Sequence, residues 1–139
     1  MTQRAVIDLD CPKCGAKGKV IIYQSINVSL DPSLREKLLV GKINIFHCPK
    51  CEQNSFISVP LLYHDMDRKF MVQFFPFSLI EEKNFLAQFT RDAEMIETQM
   101  LPRKLRQIYK RTQVVFDMGE LVRYVIFREK LCEAWKEAS

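Results

Sequence analysis

The chain has 139 residues, of which 47% are hydrophobic and 27% are charged, and its formal net charge is +4 at pH 7. These values are typical of one globular domain, and they argue against a disordered chain and against a strongly basic nucleic-acid binder. No apolar run approaches the roughly 20 residues that span a bilayer, and the first residues lack the apolar core of a signal peptide. We therefore expect a cytoplasmic protein. In that compartment thiols stay reduced, so spaced cysteines indicate a metal site rather than disulfides.

The elements predicted for the first half are mainly strands. Stretches rich in β-branched and aromatic residues predict strands at 6–9, 19–26, 42–47, 55–63 and 69–75. The last two flank a turn at residues 64–68, so we expect them to form a hairpin. Between the second and third strands, Asp31 as N-cap and Pro32 as first helical residue predict a short helix that ends at Gly41.

The chain changes character at Pro76, after which helices are predicted. Ser78 with Glu81 three residues later is a capping box. Apolar residues then recur at helical spacing and predict an amphipathic helix that ends before Pro102; they are Leu86, Phe89, Ala93, Ile96 and Met100. Residues 112–116 predict one more strand.

A last helix is predicted from Asp117, which with Glu120 repeats the capping-box signature, to about residue 135. Its apolar residues cover an arc wider than one core-facing stripe; they are Leu121, Val122, Tyr124, Val125, Ile126, Phe127, Leu131 and Trp135. The preceding predicted helix can cover part of this arc. The remainder indicates a surface buried against another chain.

Two copies of the sequence CPKC carry the most specific signal in the chain. Cys11 and Cys14 form the first pair, and Cys48 and Cys51 form the second. A C-x-x-C turn places two sulfurs on one side, where both reach one cation at a bond length of about 2.3 Å. Two such turns supply the four corners of a tetrahedron. The 33 residues between the pairs exceed the usual ribbon spacing of about 15–20, and the predicted strand, helix and strand account for the surplus as a folded insertion.

We interpret the four cysteines as one structural zinc site. Iron in a four-sulfur centre is the less favoured alternative, because four thiolates suit either metal. A redox pair would normally precede a helix, whereas Gly15 and the β-rich residues after Cys14 predict none. Four thiolates also close the coordination sphere, which argues against a catalytic metal with an open position. His47 is expected to be a strand residue beside the site, and Cys132 a buried helix residue.

Beyond the two CPKC motifs, the segment PLLYHD at residues 60–65 completes a resemblance. The chain resembles the CpXC domain family of bacteria and archaea, which is named for its two Cys-Pro-x-Cys motifs. The resemblance implies a zinc-binding domain and says little about activity. Glu52 departs from the family pattern, since the family often has glycine directly after the second CPKC turn.

Two further groups of residues are candidate sites. His64 beside Asp65 could serve as a general base or a binding pair, but a structural turn in which Asp65 caps the backbone is favoured. A basic segment offers phosphate contacts, but a solvated face around Leu105 and Ile108 is favoured because the overall charge is small; its basic residues are Arg103, Lys104, Arg106, Lys110 and Arg111.

The sequence thus predicts an α+β fold in a single domain. Residues 1–76 are expected to form a zinc-ribbon-like β-hairpin module with a short helical insertion, and residues 77–139 a mainly helical part. As function we expect a non-enzymatic structural zinc domain that contacts a protein partner or a second copy through the last helix. The alternatives are a nucleic-acid-binding zinc ribbon that uses segment 103–111, and an enzyme that uses His64 and Asp65.

Overall fold

The computed structural model describes residues 2–96, 102–109 and 112–138, with strands and helices interleaved along the chain. In chain order they are β1 (Gln3–Asp10), β2 (Lys17–Asn27), α1 (Ser33–Leu39), β3 (Ile45–His47), β4 (Asn54–Phe56), β5 (Leu61–Asp65), β6 (Phe70–Phe74), a 3-10 helix (Phe77–Glu81), α2 (Lys83–Leu86), α3 (Arg103–Tyr109), β7 (Gln113–Val115) and α4 (Met118–Ala138). None of the described helices is long and apolar enough to cross a membrane.

Five strands form one mixed sheet in the order β1-β2-β5-β6-β7. The β1–β2 and β5–β6 pairs are antiparallel, whereas β2–β5 and β6–β7 are parallel. Alternate large apolar side chains of the strands meet the buried faces of α1 and α4; the core comprises Tyr23, Ile26, Leu61, Tyr63, Phe70, Val72, Phe74, Val115, Leu34, Leu38, Leu121 and Val125. The prediction of a mixed α+β protein with a C-terminal helix is therefore confirmed.

A separate two-stranded sheet, β3–β4, lies beside β2 and carries the second cysteine pair at its end. The buried Asn44 joins it to the main sheet. Its side-chain amide donates to the carbonyl of Tyr23 at 3.0 Å, and its side-chain oxygen accepts from the N–H of Tyr23 at 2.7 Å. Because β2 pairs with β5 only at Ser25–Asn27, Asn44 supplies hydrogen bonds that a neighbouring strand would otherwise make.

Most predicted strands overlap observed strands. The strand predicted over 42–47 begins only at Ile45, since residues 42–44 have no strand structure and Asn44 has a positive φ of 56°. The prediction of one strand over 55–63 is wrong, since β4 and β5 belong to different sheets and residues 57–60 have no strand structure. Pro60, which has no backbone N–H to donate, lies in this break. In the second half, β7 pairs with β6, so the main sheet receives strands from both parts of the chain.

The predicted long helix over 78–101 is wrong for the residues that the structure describes. The 3-10 helix ends at Glu81, the backbone of the next residue, Glu82, is extended, and α2 contains only four residues. The apolar residues of this segment instead contribute to an aromatic cluster. In it the ring centroid of Phe85 lies 4.8 Å from that of Phe75 and 5.2 Å from that of Phe89. Ala93 has a positive φ of 66°, which no α-helix accommodates. Met100 lies outside the described residues.

Of the three predicted helix ends that follow, two are confirmed and one is wrong. The Asp117 cap is confirmed, because its side-chain oxygen accepts from the N–H of Glu120 at 3.2 Å where α4 begins. Gly41, with φ 73°, follows the end of α1 as predicted. The predicted N-cap role of Asp31 is wrong, because Pro32 occupies that position and no side chain caps the helix.

Candidate metal centre

The sulfur atoms of Cys11, Cys14, Cys48 and Cys51 all lie within 4.8 Å of one another. The Sγ atoms of Cys11 and Cys51 are 3.7 Å apart, and those of Cys14 and Cys48 are 3.4 Å apart. A tetrahedron of sulfurs around a metal at 2.3 Å has edges of about 3.8 Å, whereas a disulfide needs about 2.05 Å. The four thiols are free cysteines, and their spacing fits one tetrahedral ion.

The two CPKC turns have the same backbone hydrogen bonds. In the first turn, the N–H of Gly15 donates to the carbonyl of Cys11 at 2.8 Å, and the N–H of Cys11 donates to Ala16 at 2.8 Å. The second turn repeats both bonds at 3.0 Å, from Glu52 to Cys48 and from Cys48 to Gln53. The two turns therefore hold their cysteines in the same backbone geometry, and their four sulfurs lie together.

The residue after each pair adopts a left-handed backbone conformation. Gly15 has φ 76° and Glu52 has φ 60°. Glycine adopts this conformation without steric cost, but for a residue with a Cβ it costs about 1–2 kcal/mol. The second knuckle therefore keeps the geometry of the first although Glu52 replaces the glycine, and that geometry is strained.

The sulfurs lie at the edge of a small apolar cluster. Cys48 and Cys11 are buried, Cys51 is half-buried and Cys14 is exposed. Phe46 fills the centre of this cluster and lies directly on Gly18 of β2, where an added Cβ would be 2.7 Å from the ring. A larger residue at position 18 would therefore force the Phe46 ring to shift within this cluster.

The pKa values of the thiols diverge because they share one site. Backbone N–H donors, chiefly that of Cys51, lower the pKa of Cys48 to about 6. The N–H of Gln53 lowers the pKa of Cys51, but burial and the sulfurs of Cys48, Cys14 and Cys11 together outweigh it and raise it to about 12. Four thiolates so close together repel one another, and a divalent cation offsets that repulsion. The donor set therefore fits a metal ion that prefers sulfur.

The local structure differs from that of a redox C-x-x-C pair. The residues after Cys14 enter β2, and those after Cys51 lead to β4. Neither pair lies at a helix N-terminus, the position that activates redox cysteines. The arrangement suits a closed metal site.

His47 and Cys132 lie outside the four-sulfur cluster. The Nδ1 atom of His47 is 2.7 Å from the side-chain oxygen of Asn54, so its ring lies across the β3–β4 pair. Cys132 is half-buried in α4.

His64 and Asp65 occupy adjacent positions on β5, so their side chains project to opposite faces of the sheet. Asp65 is 1% exposed; its carboxylate accepts from the N–H of Arg68 at 2.9 Å and from the Arg68 guanidinium at 3.0 Å. Burial lowers the pKa of His64. Asp65 therefore caps its turn, and the placement on opposite faces argues against joint action of the two groups on one substrate atom.

The structure describes part of the basic segment. Arg103, Lys104 and Arg106 are exposed on α3, a helix of seven residues. Lys110 and Arg111 lie outside the described residues.

An exposed apolar stripe runs along the second half of α4. Phe127, Leu131 and Trp135 are spaced four residues apart, and all three are exposed, as is Ile126. The opposite face packs on the sheet through Leu121 and Val125.

Sequence reasoning missed a partly buried ion pair between Arg35 of α1 and Glu129 of α4. Neither residue stands in a motif, and a pair separated by 94 positions leaves no local pattern. A glutamate within the otherwise apolar arc of the last helix is the only sequence signal for it.

A model of the CpXC protein family matches residues 9–136, a range that includes both cysteine pairs and ends near the end of α4. No curated protein matches the chain, and no solved structure does.

Proposed function

The chain belongs to the CpXC family, and on that premise we propose that it is a non-enzymatic zinc-binding domain that serves as a protein–protein interaction module. In this proposal the metal stabilises the fold, and a surface of α4 binds a protein partner. Four thiols stay reduced only in a reducing compartment, so the proposal places the protein in the cytoplasm.

The four-sulfur cluster supports zinc in a structural role. Tetrahedral thiolate sites suit zinc or iron, and zinc is the usual ion in structural sites made of four cysteines. All four donors come from the protein, so the ion would keep no position for water or substrate, and for this reason we propose no catalysis at it. Small β modules around such a site bury little apolar surface, and metal binding supplies the missing folding free energy.

The observation that carries the interaction role is the apolar stripe on α4. Trp135 is 70% exposed and Phe127 is 56% exposed. Tryptophan and phenylalanine are enriched in the centres of protein interfaces, where they contribute much of the binding free energy. Three large apolar side chains in one line on a long helix match the anchor pattern of helix-mediated recognition.

Native mass spectrometry of the purified protein tests the metal. We expect one zinc ion for each chain. The mass of the complex should be lower than the sum of the masses of the protonated protein and the ion by two or more protons, because thiolates bind the ion. A chain that carries iron would contradict the choice of metal, and a chain that carries no metal would contradict the structural role.

Substitutions on α4 test the interaction. A photo-crosslinking residue at position 131 would identify the partner in the native cell, and binding would then be measured between purified components. We expect Phe127→Glu and Trp135→Glu each to weaken binding at least about tenfold, because each removes an interface anchor. Leu30→Glu is the matched control, since Leu30 is equally exposed but lies just before α1.

Trp135 also reports on the same surface directly. It is the single tryptophan of the chain, so its fluorescence should shift to shorter wavelength when a partner covers it. Unchanged emission and unchanged affinity of both α4 variants would show that this surface does not bind the partner.

A further inference from the structure

The β1 strand forms one end of the five-stranded sheet, and among the described strands it pairs only with β2. Seven of its eight residues are exposed, and Leu9 alone is half-buried. Its outer edge therefore presents a row of backbone N–H and C=O groups that another strand could use. Proteins usually protect such an edge with lysine, proline or a bulge. The pairing of β1 with β2 shifts register between Gln3 and Arg4, but from Arg4 to Asp10 it is regular, and this part of the strand has neither lysine nor proline.

Large apolar side chains accompany this open edge. Val6 is 65% exposed, and Ile21, its partner across the β1–β2 pair, is 44% exposed. They form an apolar row on one face of the sheet that ends at the open edge. Ile7 is 37% exposed on the other face, beside an apolar groove of about 550 Å³ that contains Ile22 and Leu62. An apolar row that leads to a strand edge without a partner among the described strands indicates a surface that another strand covers.

Two of the three charged residues of β1, Arg4 and Asp8, are arranged symmetrically about Val6. Asp10 has no counterpart, and Asp8 also pairs with Lys19 of β2 at 3.9 Å. Arg4 lies two residues before Val6 and Asp8 two residues after it, so the three side chains share one face. An antiparallel copy of the same strand, centred on Val6, would place Val6 opposite Val6. It would also place Arg4 of each copy opposite Asp8 of the other.

We propose that two copies of this chain pair through their β1 strands, antiparallel and centred on Val6, to form one continuous ten-stranded sheet. The pairing would extend the apolar row to four side chains, Ile21 and Val6 from each copy. Two Arg4–Asp8 ion pairs would flank this row. Such isologous strand addition is a common way to bury an open sheet edge.

Other registers match less completely. A shift of one residue places Arg4 opposite Leu9. A shift of two residues still places Arg4 opposite Asp10, but it also places Val6 opposite Asp8. A parallel pairing in register would place Arg4 beside Arg4, and like charges directly opposite destabilise a sheet. Because the matching charges and apolar residues come from a single strand, a second copy fits this edge without any foreign sequence.

The metal centre would support this pairing. Cys11 follows directly after Asp10, the last residue of β1, so the first cysteine turn fixes one end of the strand. The opposite end is held by backbone pairing to β2. A strand fixed at one end by the metal loses less conformational freedom on pairing than a free segment does.

Sedimentation equilibrium of the zinc-loaded full chain over a range of concentrations tests the proposal. We expect the unmodified protein to be a dimer. Arg4→Glu and Asp8→Arg should each raise the dimer dissociation constant at least about fivefold, because each places two like-charge pairs in the interface. The double variant Arg4→Glu with Asp8→Arg restores opposite charges, so it should recover most of the original affinity. Lys37→Glu, a charge reversal on the exposed side of α1, is the matched control and should have no effect.

A second variant blocks the centre of the proposed interface. Val6→Lys should give a monomer that keeps its zinc and its circular dichroism spectrum. The proposal is overturned if the unmodified protein is monomeric throughout, or if the double charge variant dissociates as readily as the single ones. A dimer that survives Val6→Lys but dissociates with Trp135→Glu would assign self-association to α4 instead.

Discussion

Arg35 of α1 and Glu129 of α4 form a two-pronged ion pair across 94 positions of sequence. The Nη2 atom of Arg35 donates to Oε2 of Glu129 at 2.6 Å, and its Nε atom donates to Oε1. Glu129 is buried, and its bond to Arg35 raises the pKa of the guanidinium. Because α1 lies between the two cysteine pairs, this contact joins the chain around the metal centre to the last helix.

We expect Arg35→Met to destabilise the protein by about 1–3 kcal/mol, because it leaves the Glu129 carboxylate buried without its cation. This expected loss of stability is smaller than that usual for buried ion pairs, because the Arg35 side chain is 32% exposed and solvent screens it. Glu129→Leu added to Arg35→Met should recover most of the loss, since an apolar pair has no charge to desolvate. Urea denaturation with saturating zinc measures the free energy of unfolding of the unmodified protein, the two single variants and the double variant. A double variant as unstable as Arg35→Met alone would show that the loss comes from packing rather than from the buried charge.

Substitution of a cysteine inside the four-sulfur cluster should lower zinc affinity, whereas substitution of a cysteine outside it should not. Cys14→Ser removes a ligand that is exposed, so little packing is lost with it. We expect zinc affinity to fall more than about 100-fold, because one thiolate donor is gone. Cys132→Ser, on α4, should leave zinc affinity unchanged. Competition with a chromophoric chelator measures both. Equal affinities in the two variants would contradict the ligand assignment.

Removal of the metal by a chelator should increase amide hydrogen exchange more in the β3–β4 sheet than in the five-stranded sheet. The β3–β4 pair has only three residues in each strand and ends at the second cysteine turn. Without metal we expect its amide hydrogens to exchange rapidly, while those of β5 and β6, which belong to the larger core, remain protected. Hydrogen exchange with and without chelator measures the difference, and uniform exchange throughout the chain would mean that the metal holds the whole domain together.

How much of the fold follows from the sequence depends on the range of the interaction. The CPKC turns and the Asp117 cap are local, since every group that forms them lies within a few residues, and both are predicted. The long helix is predicted wrongly because spacing alone does not distinguish a helix from the short turns that place Phe85 and Phe89 against Phe75. Asn44 cannot be identified from the sequence either, because its partner Tyr23 is 21 positions away.

The two knuckles offer a matched pair of backbone substitutions. Glu52 has φ 60° and is exposed, so Glu52→Gly should remove strain and stabilise the zinc-bound protein by about 1 kcal/mol. Gly15→Ala should destabilise it by about the same amount, since a Cβ there meets no other atom within 4 Å and only the φ of 76° opposes it. Thermal denaturation with saturating zinc measures both. Destabilisation by Glu52→Gly would show that the glutamate side chain contributes more than the backbone strain costs.

Tyr63 should limit stability at alkaline pH. Its hydroxyl is buried and has no hydrogen-bond partner among the described residues, and burial raises its pKa. An unfolded tyrosine has a pKa of about 10, so below that pH neither state is ionised and the group adds no pH dependence. Above a pH of about 10 the unfolded chain loses a proton that the folded chain keeps, and stability falls as pH rises.

We expect Tyr63→Phe to raise the free energy of unfolding at neutral pH by about 1 kcal/mol, because it removes a desolvated hydroxyl that has no compensating bond. It should also make the loss of stability above a pH of about 10 shallower, by up to about 1.4 kcal/mol for each pH unit. Tyr124→Phe is the control: its hydroxyl accepts from Arg128 at 3.0 Å, so removing it should not stabilise the fold. Urea denaturation at neutral pH and at several alkaline pH values measures both effects. Destabilisation by Tyr63→Phe at neutral pH would mean that this buried hydroxyl makes a stabilising contact, and its proximity to Glu129 would then have to account for it.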